Sequence, residues 1–143
     1  MRIVAKGLTY TYSAKSPFAS RALNGVDLTV EEGEFFGIIG HTGSGKSTFV
    51  QHLNALIRLT DGSLKVGEYD LADKKCNFVE LRSKVGMVFQ YPEYQLFAET
   101  VEKDVAFGLK NFRKEMKQEE RDAAVKEAIE TVGLDYARVK DKS

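Results

Sequence analysis

Residues 40–47 read Gly-His-Thr-Gly-Ser-Gly-Lys-Ser, and this octapeptide decides the fold class. Two glycines five positions apart, followed by lysine and a hydroxyl residue, form the pattern of a phosphate-binding loop. The apolar run at 35–39 before it is typical of a buried central strand. Apolar residues from 49 to 57 recur at helical spacing after it. Strand, loop and helix in this order predict an α/β fold.

Each residue type in this loop suits a polyphosphate for its own reason. Glycine permits torsions that a Cβ penalises and lets the main chain close around phosphate oxygens. The amides and the following helix form an anion cradle, Lys46 adds a positive charge, and the Ser47 hydroxyl is a candidate Mg²⁺ ligand. The candidate nucleotide-binding residues are Gly40, His41, Thr42, Gly43, Ser44, Gly45, Lys46, Ser47 and Thr48. The alternative is a glycine-rich turn that binds nothing.

Composition narrows the class of protein. The 143 residues carry 21 basic and 21 acidic side chains, so no electrostatic footprint for nucleic acid is present. No apolar run reaches the length of a membrane span and the first residues do not resemble a signal peptide, so we expect a cytoplasmic location. The single Cys76 excludes an intrachain disulfide, and His41 and His52 do not suggest a metal site. We interpret His41 as filling the loop or lying at the phosphate edge rather than acting as a base.

The remaining patterns predict further elements. Strands are expected at 3–11, 26–30, 63–66, 69–71 and 85–89, with a tight turn at Asp61 and Gly62. Helices are expected at 98–109 and 118–132, the second stopped by Gly133. The strand at 85–89 would deliver Gln90 to the sheet edge where α/β proteins bind ligands.

Tyr12, the loop and Gln90, in this order, resemble ATP-binding-cassette (ABC) ATPases. The resemblance implies that Tyr12 stacks on adenine and that Gln90 contacts Mg²⁺ and the attacking water, so Lys46 and Gln90 are the candidate catalytic residues and Ser47 and Gln90 the metal ligands. ATP and Mg²⁺ are the implied cofactors. Tyr10 is a rival for the stacking role, and the alternative for Tyr12 is packing within the sheet.

Longer strings resemble the energy-coupling-factor importer ATPases of the CbiO/EcfA type. They are residues 22–26, 39–48, 51–56, 85–93, 95–97 and 100–108. The resemblance implies a P-loop NTPase with an ABC ATPase-type RecA-like core and an antiparallel β subdomain over 1–97, and the start of the α-helical subdomain over 98–143. It also implies ATP-driven uptake of vitamins or of transition-metal ions such as cobalt and nickel.

The same resemblance implies partners. They are a transmembrane scaffold subunit, a substrate-binding subunit and a second ATPase subunit in a homo- or heterodimer, with the chain peripheral on the inner face of the cell membrane. A partner groove would use Tyr91, Glu93, Tyr94, Gln95 and Phe97. A solvent loop with locally packed aromatics is the alternative for this segment.

One departure from the family pattern is large. The 143 residues contain no Leu-Ser-Gly-Gly-Gln signature, no second apolar strand ending in Asp-Glu (Walker B) and no later switch histidine. We therefore expect a truncated ABC ATPase: an enzyme as the intact subunit, but a chain that binds nucleotide at most and is inactive alone. The alternatives are a non-transport ABC protein of DNA repair or translation, and a non-catalytic nucleotide-binding module.

Overall fold

The structure is a computed structural model that describes residues 1–142, and it divides into two compact units. The first unit, Met1–Gly86, contains strands β1 (Ile3–Tyr12), β2 (Ser20–Val30), β3 (Asp61–Val66) and β4 (Tyr69–Asp70) and helices α1 (Lys46–Leu53) and α2 (Phe78–Lys84). The second begins at Met87 and contains a short 3₁₀ helix (Pro92–Gln95) and helices α3 (Val101–Phe112), α4 (Gln118–Thr131) and α5 (Tyr136–Val139).

The four strands form one antiparallel sheet in the order β2-β1-β3-β4. Ala5 of β1 lies opposite Leu28 on one side and Leu64 on the other, and Ala5 and Leu64 are buried. The strands predicted from alternation are thus confirmed. The turn predicted at Asp61 and Gly62 is wrong, because both residues belong to β3.

The two predicted central strands, 35–39 and 85–89, are not strands in the structure. A strand needs a neighbour for its backbone hydrogen bonds, and none of the described residues pairs with either segment. Their apolar side chains lie open instead: Phe35 and Ile39 are almost fully exposed, and Val88 is 84% exposed. Gln90 consequently follows an irregular segment and lies at a bend.

Helix α1 ends at Leu53, earlier than the apolar spacing up to residue 57 predicts. Ala55 adopts a left-handed conformation with φ 55°, which stops the helix. Arg82 of α2 donates from Nε to the Asn54 carbonyl at 3.2 Å and from Nη2 to the Ala55 carbonyl at 2.9 Å. This guanidinium supplies the hydrogen bonds that a further helical turn would have made.

The second unit has a small core of its own, built from Ala106, Val125 and Ile129. Helix α3 begins after Thr100, whose Oγ1 accepts from the Lys103 amide at 3.3 Å. Helix α4 stops before Gly133, which has φ 80°. Both predicted helices are confirmed, although α3 begins and ends three residues later than the predicted 98–109.

Candidate nucleotide-binding site

Backbone conformation shapes the loop between residue 40 and α1. Gly43 and Gly45 have φ of 83° and 89°, as predicted for a loop that turns its amides inward. Gly40 does not have a positive φ, and a Cβ there would lie 2.6 Å from the Ser44 Oγ, a side-chain atom that can rotate away. A Cβ on Gly45 would lie 2.3 Å from the Ala22 carbonyl oxygen of β2. At Gly45 the loop is therefore packed against β2 with no room for a side chain.

The Lys46 ammonium lies inside this loop. Its Nζ donates to the carbonyl oxygens of Gly40 and His41, at 2.6 and 2.8 Å, and to the Ser44 hydroxyl at 3.3 Å. Three contacts hold a flexible side chain over the glycines. A positive charge is thus fixed at the mouth of the amide cradle.

The first turn of α1 adds donors of the same kind. Phe49 is the first residue in the helix whose amide donates back to the turn before it, to the Gly45 carbonyl at 2.8 Å. The amides of Lys46, Ser47 and Thr48 precede it and have no intrahelical acceptor. Together with the positive end of the helix dipole they favour an anion. The donor set fits a polyphosphate.

A hydroxyl and the phosphates themselves would be the ligands of any Mg²⁺ at this loop. The Ser47 side chain is exposed in the first turn of α1. Among residues 1–142, no group of three or more His, Cys, Asp or Glu side chains is arranged to hold a metal ion. The exposed Ser47 hydroxyl fits a magnesium–nucleotide complex in which phosphate oxygens contribute to the coordination.

His41 is directed at its own loop. Its Nδ1 lies 2.8 Å from the Thr42 carbonyl oxygen, and because a carbonyl only accepts, this nitrogen carries the proton. The side chain is exposed. This arrangement favours the interpretation of His41 as a residue that shapes the loop.

The structure brings Tyr12 of β1 to the start of α1. Its hydroxyl lies 3.1 Å from the Thr48 Oγ1, although 36 residues separate the two in sequence. The Tyr12 side chain is 41% exposed, whereas Tyr10 is half-buried. Of the two tyrosines, Tyr12 is therefore the one with a ring open to a ligand.

The other predicted site residues lie in the second unit. Gln90 is exposed. The predicted groove residues surround the short 3₁₀ helix, and Tyr91, Tyr94 and Phe97 are 57, 84 and 66% exposed. The backbone amides of Phe97 and Ala98 both donate to the Asp104 Oδ1 of α3, at 3.4 and 3.2 Å. This segment is thus tied to α3 and presents aromatic side chains outward.

A buried histidine beside the loop escaped sequence reasoning. The His52 side chain is fully buried, and its Nδ1 lies 2.7 Å from the Thr48 carbonyl oxygen. Its ring meets the Tyr10 ring at 5.1 Å between centroids, nearly perpendicular. The sequence signal that could have revealed this contact is the position of His52 one helical turn after Thr48, which places both residues on one face of α1.

Acid should weaken the first unit through His52. Burial lowers the pKa of this imidazole below its ordinary value of 6.5, and the bond to the Thr48 carbonyl only partly opposes that. The unfolded chain therefore binds a proton that the folded chain resists, so the free energy of unfolding falls as pH drops below about 6.5, by at most about 1.4 kcal/mol per pH unit. Urea unfolding at pH 8, 6.5 and 5.5 measures the slope. His52→Gln should flatten it over this range and His41→Gln should not; equal slopes in all three proteins would contradict the prediction.

The sheet, the phosphate-binding loop and the helix that follows it define the class of protein as a phosphate-loop nucleotide-binding domain. A family model described as "ABC transporter" matches residues 23–142, which is most of the chain. The chain belongs to the ABC transporter family. It is 50% identical over 143 residues to the energy-coupling factor transporter ATP-binding protein EcfA2 of Clostridium acetobutylicum, and 49% identical to that of Clostridioides difficile. Each comparison covers all of this chain and 49% of the relative, so the chain spans about half the length of the curated relatives it matches.

Solved structures agree with this family assignment. CbiO1 from Clostridium perfringens, described as part of the ABC transporter complex cbiONQ, matches with a TM-score of 0.79 and 30% identity over 98% of this chain and 53% of that chain. A dimeric post-hydrolysis state of the ATP-binding cassette MJ0796, bound to ADP and Pi, matches with a TM-score of 0.79 and 29% identity, covering 98% of this chain and 61% of that one. The predicted fold class is confirmed.

Proposed function

We propose that this chain is the amino-terminal, ATP-binding part of an energy-coupling-factor importer ATPase. The observation that carries nucleotide binding is the cradle itself: Gly43 and Gly45 in left-handed conformation, with the Lys46 ammonium held over them. The transport role is supported by relatives about 50% identical that are named as energy-coupling factor transporter ATP-binding proteins. In the intact subunit, ATP binding and hydrolysis would drive uptake of vitamins or transition-metal ions.

The loop residues would divide the work of binding. The amides of Lys46, Ser47 and Thr48 would donate to phosphate oxygens, and Lys46 would exchange its carbonyl acceptors for the β- and γ-phosphates. Ser47 and Gln90 would hold Mg²⁺, which neutralises phosphate charge when bound. Gln90 would also orient the attacking water. Tyr12 would stack on adenine, a role that its exposed ring supports.

Hydrolysis needs more than this cradle. Phosphoryl transfer depends on positioning and on charge stabilisation, and the 143 residues include neither the signature segment nor an Asp-Glu strand. We expect the 143-residue chain to bind ATP·Mg²⁺ in isothermal titration and to release no phosphate above the uncatalysed background. Phosphate release at several turnovers per minute that Lys46→Ala abolishes would contradict the prediction.

The exposed aromatic segment around the 3₁₀ helix supports a membrane-subunit groove. We propose that Tyr91, Glu93, Tyr94, Gln95 and Phe97 contact the scaffold subunit, with the chain peripheral to the membrane and paired with a second ATPase subunit. Phe97 packs edge-on against Phe107 of α3, with ring centroids 4.7 Å apart. That contact and the Asp104 bonds fix the segment, so that a partner would meet an ordered surface. No helix in the described part of the chain has the length and apolar character to cross a membrane.

Charge reversal tests this groove. Glu93 is exposed, so a basic partner residue would lose its attraction in Glu93→Arg. We expect co-purification of the intact ATPase with its scaffold subunit to fall about tenfold or more. Glu115→Arg is the matched control, because it makes the same charge change at an exposed position in the same unit. Equal recovery of scaffold subunit with both variants would refute the groove, and co-purifying nucleic acid would favour a non-transport ABC protein.

A further inference from the structure

Four residues, Tyr12, Tyr10, His52 and Thr48, form a closed ring of contacts beside the loop, with Thr48 contributing both its hydroxyl and its backbone carbonyl. The Tyr12 ring meets the Tyr10 ring at 4.9 Å between centroids, and the Tyr10 ring meets the His52 ring at 5.1 Å, both nearly perpendicular. His52 Nδ1 bonds to the Thr48 carbonyl, and the Thr48 hydroxyl returns to the Tyr12 hydroxyl at 3.1 Å. This ring of contacts connects β1, which carries Tyr12, to α1, which begins with phosphate-binding residues.

A polar residue at position 52 is costly if its only task is to fill the core. The carbonyl of Thr48 accepts, so His52 Nδ1 carries the proton and Nε2 is left as an acceptor. That Nε2 is buried and has no hydrogen-bond partner among residues 1–142. An apolar side chain would avoid this desolvation. What an imidazole provides at this position, and an apolar side chain would not, is a hydrogen bond to the Thr48 carbonyl together with a perpendicular ring contact to Tyr10.

We propose that Tyr10 and His52 are positioning residues for adenine recognition. The Tyr10 ring contacts the His52 ring and also the Tyr12 ring, and so fixes the plane of the Tyr12 ring. The Thr48 hydroxyl fixes the position of the Tyr12 hydroxyl. A ring fixed before the ligand arrives loses less conformational entropy on binding, which raises affinity without a new contact. This inference rests on the proposed ATP-binding function and assigns part of the affinity for the adenine ring to residues outside the phosphate loop.

Comparing two ligands separates positioning of Tyr12 from damage to the loop. ATP uses both adenine and phosphate contacts, whereas inorganic tripolyphosphate uses the phosphate contacts alone. Tyr10→Leu removes both edge contacts of Tyr10. We expect it to weaken ATP·Mg²⁺ binding about twofold to tenfold in isothermal titration, the worth of one or two aromatic pairs, and to leave tripolyphosphate affinity unchanged. Tyr10→Phe retains the ring and should restore ATP affinity to the wild-type value.

A second variant breaks the ring of contacts at an exposed side chain, where the change is less able to disturb folding. Tyr12→Phe keeps the aromatic face and deletes only the hydroxyl that meets Thr48, on a side chain that is 41% exposed. We expect a loss of about twofold to tenfold for ATP and none for tripolyphosphate. If Tyr10→Leu does not fold, this variant decides the matter.

The outcomes distinguish the proposed ATP-binding function from the positioning role of Tyr10 and His52. Wild-type binding of ATP and tripolyphosphate that Lys46→Ala weakens about 10-fold to 100-fold supports the proposed function. No binding of either ligand by wild type overturns both. If wild type binds but a folded Tyr10→Leu or Tyr12→Phe keeps its ATP affinity, the positioning role is wrong and the proposed function stands. Equal losses for ATP and tripolyphosphate also overturn positioning, because they report a damaged loop.

Discussion

Replacing Lys46 with alanine should lower the affinity of this chain for ATP·Mg²⁺ by about 10-fold to 100-fold. A hydrogen bond to a charged group contributes about 1.5–3 kcal/mol, and tenfold in affinity corresponds to about 1.4 kcal/mol. The ammonium lies over the loop already, within 2.6–2.8 Å of two carbonyl oxygens, so it needs little rearrangement to reach a phosphate. Isothermal titration with ATP and with tripolyphosphate at fixed ionic strength measures the loss.

The matched control for Lys46→Ala is Lys65→Ala. Lys65 belongs to β3, and its only ion pair among the described residues is to Asp70, at 3.8 Å. Both variants remove one positive charge from the first unit, so a general electrostatic effect would appear equally in each. An equal affinity for ATP in the two variants would show that Lys46 does not contact the phosphates.

Gly45→Ala should destabilise the first unit by about 2–5 kcal/mol, and Gly43→Ala by only about 1–2 kcal/mol. Both glycines have left-handed backbone conformations, which cost an alanine about 1–2 kcal/mol. They differ in surroundings: a Cβ on Gly43 meets nothing within 4 Å, whereas one on Gly45 lies 2.3 Å from the Ala22 carbonyl oxygen and 3.0 Å from Leu23 Cδ2. Relief of that clash requires α1 or β2 to move, at a further cost of about 1–3 kcal/mol.

Urea unfolding followed by circular dichroism compares the two glycine variants directly. The first unit carries all of the strands described in residues 1–142, so loss of the strand signal reports on it. The difference between the variants isolates the packing of the loop against β2, because both carry the same backbone strain. Equal midpoints for Gly43→Ala and Gly45→Ala would mean that the loop does not rest on β2.

Local pattern predicted well wherever a segment's surroundings follow from its own residues. Alternation in β1 predicted a strand because one face of an antiparallel sheet meets the core and the other meets solvent. Gly133 predicted the end of α4 because a left-handed residue ends a helix whatever lies nearby. Helix α2 was missed although Asn77 caps it by accepting from the Glu80 amide at 3.1 Å, since its seven residues give too short a pattern to recognise.

The errors fall where a segment depends on distant partners. Residues 35–39 have the composition of a buried strand, yet composition cannot supply the neighbour that its backbone needs. The apolar spacing beyond Leu53 predicted more helix. Instead the helix ends there, and the Arg82 guanidinium, 28 residues away from Asn54, donates to the backbone carbonyl of Asn54. The loop glycines were expected to adopt unusual torsions, but Gly40 does not have a positive φ.

By itself, the sequence determined the phosphate-binding loop, its flanking helix and the family resemblance, because these depend on residue types at fixed short spacing. Only the tertiary structure decided that Tyr12 contacts Thr48, that the Tyr10 ring packs against a buried His52, and that Gly45 packs against β2. Those contacts join residues tens of positions apart, and only the pairing of strands and the packing of α1 on the sheet bring them within bonding distance.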